Sequence, residues 1–121
     1  PAAALDEARR VAAPGGRVLV LEPAAEGEIQ RFCGVFENED HRLEAAQQAL
    51  ARCGLRRVSE EAFCTEWIFE NFQEAAGYAF AYYKHPEDPA KRRALRDFLG
   101  DKADQRPLVM HDTLRLACLT P

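Results

Sequence analysis

No apolar run in this 121-residue chain approaches the ~20 residues that a membrane-spanning helix needs. Residues 1–23 also lack the charged segment and apolar core of a secretion leader. Positive charge is not in excess: 16 Lys and Arg stand against 20 Asp and Glu, a formal net charge of -4. That balance supplies no basic footprint for nucleic acid or an anionic membrane surface, and neither is expected as a partner. The cysteines Cys33, Cys53, Cys64 and Cys118 form no CxxC pair and no ligand-like grouping with His41, His85 or His111. Scattered thiols of this kind fit free cysteines in a reducing, cytoplasmic setting, and no metal is expected. Repeats, low-complexity tracts and interdomain linkers are missing as well. With 47% hydrophobic residues, residues 1–121 are expected to form a single domain with a core of modest size.

What is present begins with a helix, a turn and a strand in quick succession. Leu5, Ala8 and Ala12 recur at helical spacing, while Asp6, Glu7, Arg9 and Arg10 take the opposite face. Pro14 stops the helix, and Gly15-Gly16 supplies the backbone freedom for a sharp reversal. Val18 to Leu21 is then uninterruptedly apolar, which predicts a strand covered on both faces, as in a parallel sheet flanked by helices.

Further along, Glu26 to Asn38 reads as an irregular connection with one helical turn around Ile29 to Phe32. Asn38 is placed to cap a helix whose inward stripe is Leu43, Ala46, Leu50 and Cys53, and which Gly54 terminates. A strand from Val58 to Phe69 follows, interrupted near Ser59-Glu60-Glu61, with Phe63, Thr65, Trp67 and Phe69 on one face. Asn71 and Glu74 form a capping-box pair for a helix to about Tyr83, and Asp88-Pro89 opens a second helix that ends at Gly100. The last strand lies in Pro107 to Pro121.

Helix, "APGGR" and "VLVLEP" together resemble the segment leading into the fifth strand of class I S-adenosylmethionine-dependent methyltransferases. The helix ending in "ARCGL", the strand through "FCTEWIF" and the closing "PLVMHDTLRLACLTP" follow in the order that family uses. The resemblance implies an α/β fold: part of a Rossmann-like methyltransferase sheet, with three strands, the last antiparallel, and flanking helices. It also marks residues 70–106 as a helical hairpin inserted between the last two strands, where the family's minimal pattern has a short connection. The chain is accordingly expected to be the C-terminal, acceptor-side part of a methyltransferase acting on a small-molecule substrate. S-adenosylmethionine is the implied cofactor of the complete protein, and this chain by itself is expected to be inactive. The glycine-rich turn after a first strand and the acidic residue after a second, with which the family holds the cofactor, have no counterpart here. No cofactor-binding residue is therefore assigned. The alternative is a non-catalytic α/β module that dimerises or binds a protein.

Methyl transfer from a sulfonium asks for acceptor alignment, desolvation and sometimes removal of a proton, so no fixed catalytic motif is required and no catalytic residue is assigned. In an open parallel sheet, ligands sit beyond the carboxyl ends of the strands. If the strand ending at Phe69 runs parallel to Val18–Leu21, Glu22 and the helical hairpin emerge at the same rim. The candidates for substrate binding are Glu22, Trp67, Tyr78 and Tyr82. Tyr78 and Tyr82, four apart, share a helix face and can line a pocket with Trp67; core packing and a dimer contact are the other readings of this aromatic helix. His85 is expected in solvent, and His111 and Asp112 point to opposite faces of a strand, so they cannot act as a pair. The edge of the Val18–Leu21 strand is expected to be open and to promote self-association.

Overall fold

A computed structural model describes residues 2–37 and 40–121. The elements, in chain order, are α1 (Ala2–Val11), β1 (Val18–Pro23), α2 (Glu28–Cys33), α3 (Asp40–Arg52), β2 (Arg56–Phe69), α4 (Phe72–Tyr82), α5 (Pro89–Leu99), a 3-10 turn (Gly100–Asp104) and β3 (Leu108–Thr120). The cap expected at Asn38 lies outside the described residues.

The strands form one sheet in the order β1-β3-β2, with β3 antiparallel to both neighbours. β1 and β2 therefore run in the same direction, separated by β3. They do not end level: Pro23 and Phe63 both pair with Leu114, while β2 and β3 continue to the Phe69–Leu108 pair as a two-stranded ribbon. Beyond Pro23 the free edge of β3 is covered by the chain itself. Ala24 N–H donates to the Thr113 carbonyl at 2.8 Å, and the Glu28 carboxylate accepts the His111 N–H at 2.8 Å. One edge acceptor and one edge donor of β3 are thereby satisfied without another strand.

Two cores sit on opposite faces of the sheet. On one face, Leu5 of α1, Leu50 of α3 and Cys53 just after it pack on Ala117 and Leu119 of β3, with Val18 and Val20 of β1 beside them. On the other, α2, α4 and α5 bury Phe69, Leu108 and Met110 of the ribbon. The helical segment between β2 and β3 thus covers the sheet where β1 no longer reaches. Both of its helices start as their sequences predict. Asn71 accepts from Glu74 N–H at 3.1 Å, and Asp88 accepts from Ala90 N–H at 2.9 Å with Pro89 following. The Glu74 carboxylate reaches the Glu70 N–H at 2.5 Å, one residue before the cap, so the box is offset.

Several details depart from expectation. β1 is covered on one face only, since Leu19 and Leu21 are 65% and 53% exposed. Among the described residues no helix lies over that side of β1, so an apolar run that fits double burial is met by a single layer. β2 is continuous, and the predicted interruption is a bulge between Arg57 and Ser59. At the first turn only Gly15 has positive φ, at 76°; Gly16 is required instead because an added Cβ would lie 2.8 Å from the Ala13 carbonyl oxygen. After Gly100 the chain winds on through the 3-10 turn before β3.

Candidate functional site

Alternation along β2 and β3 determines which side chains can meet. Phe63, Thr65, Trp67 and Phe69 share one face of the ribbon with Leu108, Met110, Asp112 and Leu114. On that face α4 lays Tyr78 against the sheet, with Tyr82 beside it. The Trp67 and Tyr78 rings are 5.4 Å apart, Phe69 and Tyr78 5.8 Å, and Tyr78 and Tyr82 6.0 Å. Trp67, Tyr78 and Tyr82 thus form one aromatic cluster, with Trp67 36% and Tyr82 60% exposed. The inward stripe of the same helix, Phe72, Ala75, Ala76 and Ala79, is fully buried. Core packing and an aromatic wall coexist on different faces of α4.

Beneath the wall lies Asp112, a carboxyl group 2% exposed. Its Oδ1 accepts the Thr113 N–H at 3.0 Å, and the Gln30 and Trp67 side chains lie near enough to favour its charged form. Burial raises its pKa above the ordinary aspartate value, while Gln30, the Thr113 N–H and Trp67 act in the opposite sense. Burial is also the main cause that raises the Tyr78 phenol, followed by the neighbouring Cys33, Tyr82 and Asp112. At neutral pH Tyr78 is therefore a protonated hydrogen-bonding group and no base. Gly27, just before α2, packs directly on this carboxyl: an added Cβ would lie 2.0 Å from Asp112 Oδ1.

Glu22 lies apart from the three aromatics. It pairs with Arg115, whereas Trp67 pairs with Met110, so the two stand five positions apart along β3, roughly 17 Å at strand rise, and on opposite faces. Glu22 instead borders a groove of about 340 Å³ that runs along the free edge of β1, with Leu5 and Ala8 of α1 and Ala46 and Leu50 of α3. A second cleft, of about 440 Å³, opens at the carboxyl end of β1 between Pro23–Glu26, Arg115 and the α3 residues Leu43, Glu44 and Gln47. Its wall includes a Glu26–Arg115 ion pair at 3.1 Å.

His85 is not in open solvent. It is half-buried, accompanies the Pro86 carbonyl at 2.7 Å and packs on the Phe36 and Phe80 rings at 5.6 and 6.0 Å. His111 is exposed on the face opposite Asp112, 4.0 Å from both Cys64 Sγ and the Glu66 carboxylate. Among the described residues no group of three or more His, Cys, Asp or Glu side chains could hold a metal ion. Nor is any helix among them long and apolar enough to cross a membrane. For S-adenosylmethionine, the Gly15-Gly16 turn does not fit as a cradle, because it precedes β1 and so lies at the end of the sheet opposite the carboxyl rim.

Sequence reasoning weighed Asp112 only as a partner for His111, and passed over Gln30 and Gly27. A signal for Asp112 existed: Leu108, Met110 and Asp112 share a parity, which places a carboxylate in a row of core positions. Gln30 and Gly27 fell in a connection read as largely irregular, and nothing local announces their packing.

No family model matches the chain, and no curated protein matches it. Among solved structures, the fold is similar to that of a "putative methyltransferase" from Bacillus halodurans, with a TM-score of 0.59 at 18% sequence identity. The similarity covers 98% of this chain and 57% of that one, so the chain spans little more than half the length of its structural neighbour. The three-stranded sheet with an antiparallel member and flanking helices is therefore a partial methyltransferase-like fold.

Proposed function

We propose that this chain is the acceptor-side, C-terminal part of a class I S-adenosylmethionine-dependent methyltransferase acting on a small molecule. The observation that carries the reading is the aromatic wall of Trp67, Tyr78 and Tyr82, built by a helical insertion at the carboxyl end of a sheet whose fold is methyltransferase-like. Its part in the reaction is to hold and desolvate an acceptor, which suits exposed rings backed by a buried core. Glu22 serves in this reading at the rim of β1 and on its free edge, away from the rings.

The groove along β1 is the natural seat for a further strand, since it combines unpaired strand groups with Leu19, Leu21 and the apolar faces of α1 and α3. In the complete protein that strand would come from the cofactor-binding part; in the chain alone a second copy would take its place. The same groove supports the alternative of a dimerisation or protein-interaction module. Calorimetric titration with S-adenosylmethionine, with sedimentation velocity on the same sample, tests the proposal. The expected results are no micromolar binding by the chain alone and concentration-dependent association. Micromolar binding would overturn the division of labour, and a monomer at every concentration would remove the open-edge argument.

A further inference from the structure

The face of the ribbon opposite the aromatic wall carries a thiol beside an imidazole. Pairing across β2 and β3 sets Cys64 opposite Thr113 and Glu66 opposite His111, so strand alternation leaves Cys64, Glu66 and His111 on one side of the sheet. All three are exposed. The Cys64 Sγ lies 4.0 Å from His111 Nδ1, and the same nitrogen lies 4.0 Å from the Glu66 carboxylate. A second polar contact of the thiol is the Thr65 carbonyl, at 3.9 Å. The backbone at His111 is fixed, since its N–H donates to the Glu28 carboxylate at 2.8 Å and Lys102 Nζ holds the other oxygen of that carboxylate at 2.6 Å. The remaining thiols are placed differently. Cys33 and Cys53 are buried, and the Cys53 thiol donates to the Leu50 carbonyl at 3.2 Å. Cys118 is half-buried, toward the other end of β3 from His111 and on the opposite face.

The thiolate, not the thiol, is the nucleophile, so an exposed thiol becomes reactive near neutral pH when an adjacent imidazole takes its proton. We propose that Cys64 is a thiolation site for a small uncharged disulfide, with His111 as its proton acceptor. With the ring in its Nε2–H tautomer, Nδ1 has a lone pair for the Sγ–H proton, and Glu66 faces the imidazolium that results. The thiolate attacks one sulfur of the disulfide. A bond from Cys64 Sγ to that half forms as the reagent's own S–S bond breaks, and the other half leaves as a thiolate that takes up the proton. Cys64 is oxidised and the reagent reduced, so no further oxidant enters. An uncharged reagent is favoured because Glu66 and Glu28 place two carboxylates beside His111, which repel an anionic one. This site stands apart from the acceptor reading, since Cys64 lies on the face of β2 turned away from Trp67.

Treatment of the 121-residue protein with dithiodipyridine near neutral pH tests the proposal, with thiopyridone release followed by absorbance and the labelled residue located by peptide mapping. Cys64 should be labelled first, with Cys118 slower and Cys33 and Cys53 protected until the chain unfolds. His111→Asn should slow Cys64 at least about tenfold, a modest effect for a positioned proton acceptor. The Cys118 rate should stay as it is. The difference at Cys64 should shrink toward unity as the pH rises to about 10, where alkali ionises an exposed thiol without help. A steric role for His111 would persist there. The other charged groups facing this pair are Glu66 and, already engaged with Lys102 and Glu26, Glu28 and Arg115. If His111→Asn does not fold, Cys64 in the folded protein is compared with Cys64 in the urea-unfolded chain, where the imidazole is no longer adjacent, and the folded protein should react faster. Label appearing first on Cys118, a Cys64 rate that His111→Asn leaves unaltered at neutral pH, or a folded rate no faster than the unfolded one would overturn the proposal.

Discussion

Gly27 and Asp112 are the clearest case of one residue's chemistry being dictated by another's packing. Gly27 has an ordinary negative φ of -59°, so an L side chain would not strain the backbone there. The obstacle is space, since the Asp112 carboxyl occupies the position of any Cβ and cannot retreat without abandoning its donors. Gly27→Ala is therefore expected to cost about 1–3 kcal/mol, as overpacking of a filled interior does, and urea unfolding would measure it. A cost near zero would mean that the carboxyl moves freely. Neither partner could be paired from sequence, because they lie far apart along the chain and meet only after α2 folds back on β3. The aromatic residues were more legible: Tyr78 and Tyr82 are four apart on a helix, and Trp67 alternates with Phe69 on a strand, so periodicity alone put each on a definite face. The separation of Glu22 from that cluster was not legible. It depends on the β1-β3 register and on β2 running past the end of β1.

Elements with local punctuation were readable from sequence. Asn71, Asp88-Pro89, Gly54 and Gly100 stop or start helices through their own backbone and side-chain chemistry, and tertiary packing did not override them. β1 was misread on its second face, because an apolar run states what a strand can bury and not what is available to cover it. α2 depends on tertiary contacts throughout. Its six residues are too few to be stable as an isolated helix, and it is held by Ile29 and Phe32 in the core and by Glu28 at its start. Burial by itself would raise the Glu28 carboxyl, but the Lys102 ammonium at 2.6 Å and the His111 N–H together outweigh it and lower the pKa below the ordinary 4.5. A carboxyl lowered on folding stabilises the protein above its unfolded pKa, and that contribution is lost as the pH falls through the folded value. Wild-type protein should accordingly lose stability below about pH 4.5 more steeply than Glu28→Gln, which has no such proton to take up. Chemical unfolding at pH 7 and at pH 4 measures this, and equal losses in the two proteins would show that Glu28 is not what ties α2 to β3.

At the scale of the whole molecule, the two cores lie on opposite faces and at opposite ends of the sheet. β1 is left with an open edge and one bare face, while the ribbon beyond it is covered on one face by α2, α4 and α5 and leaves Ile68 65% exposed on the other. In the proposed reading this asymmetry marks where further strands would join, and the fold covers 57% of the solved structure to which it is similar. The strand order β1-β3-β2 places the antiparallel strand between the other two, and of the two outer strands it is β1 whose free edge opens on an apolar groove between α1 and α3. The most direct measurement is a crystal structure of the polypeptide encoded by the uninterrupted reading frame containing this sequence, grown with S-adenosylhomocysteine. The account predicts a strand lying in the β1 groove parallel to β1, the cofactor product beyond the carboxyl end of the completed sheet, and Trp67 and Tyr78 facing the space beside it. A β1 edge filled by a second copy of the same chain, with no cofactor bound, would contradict the account and favour an assembly module.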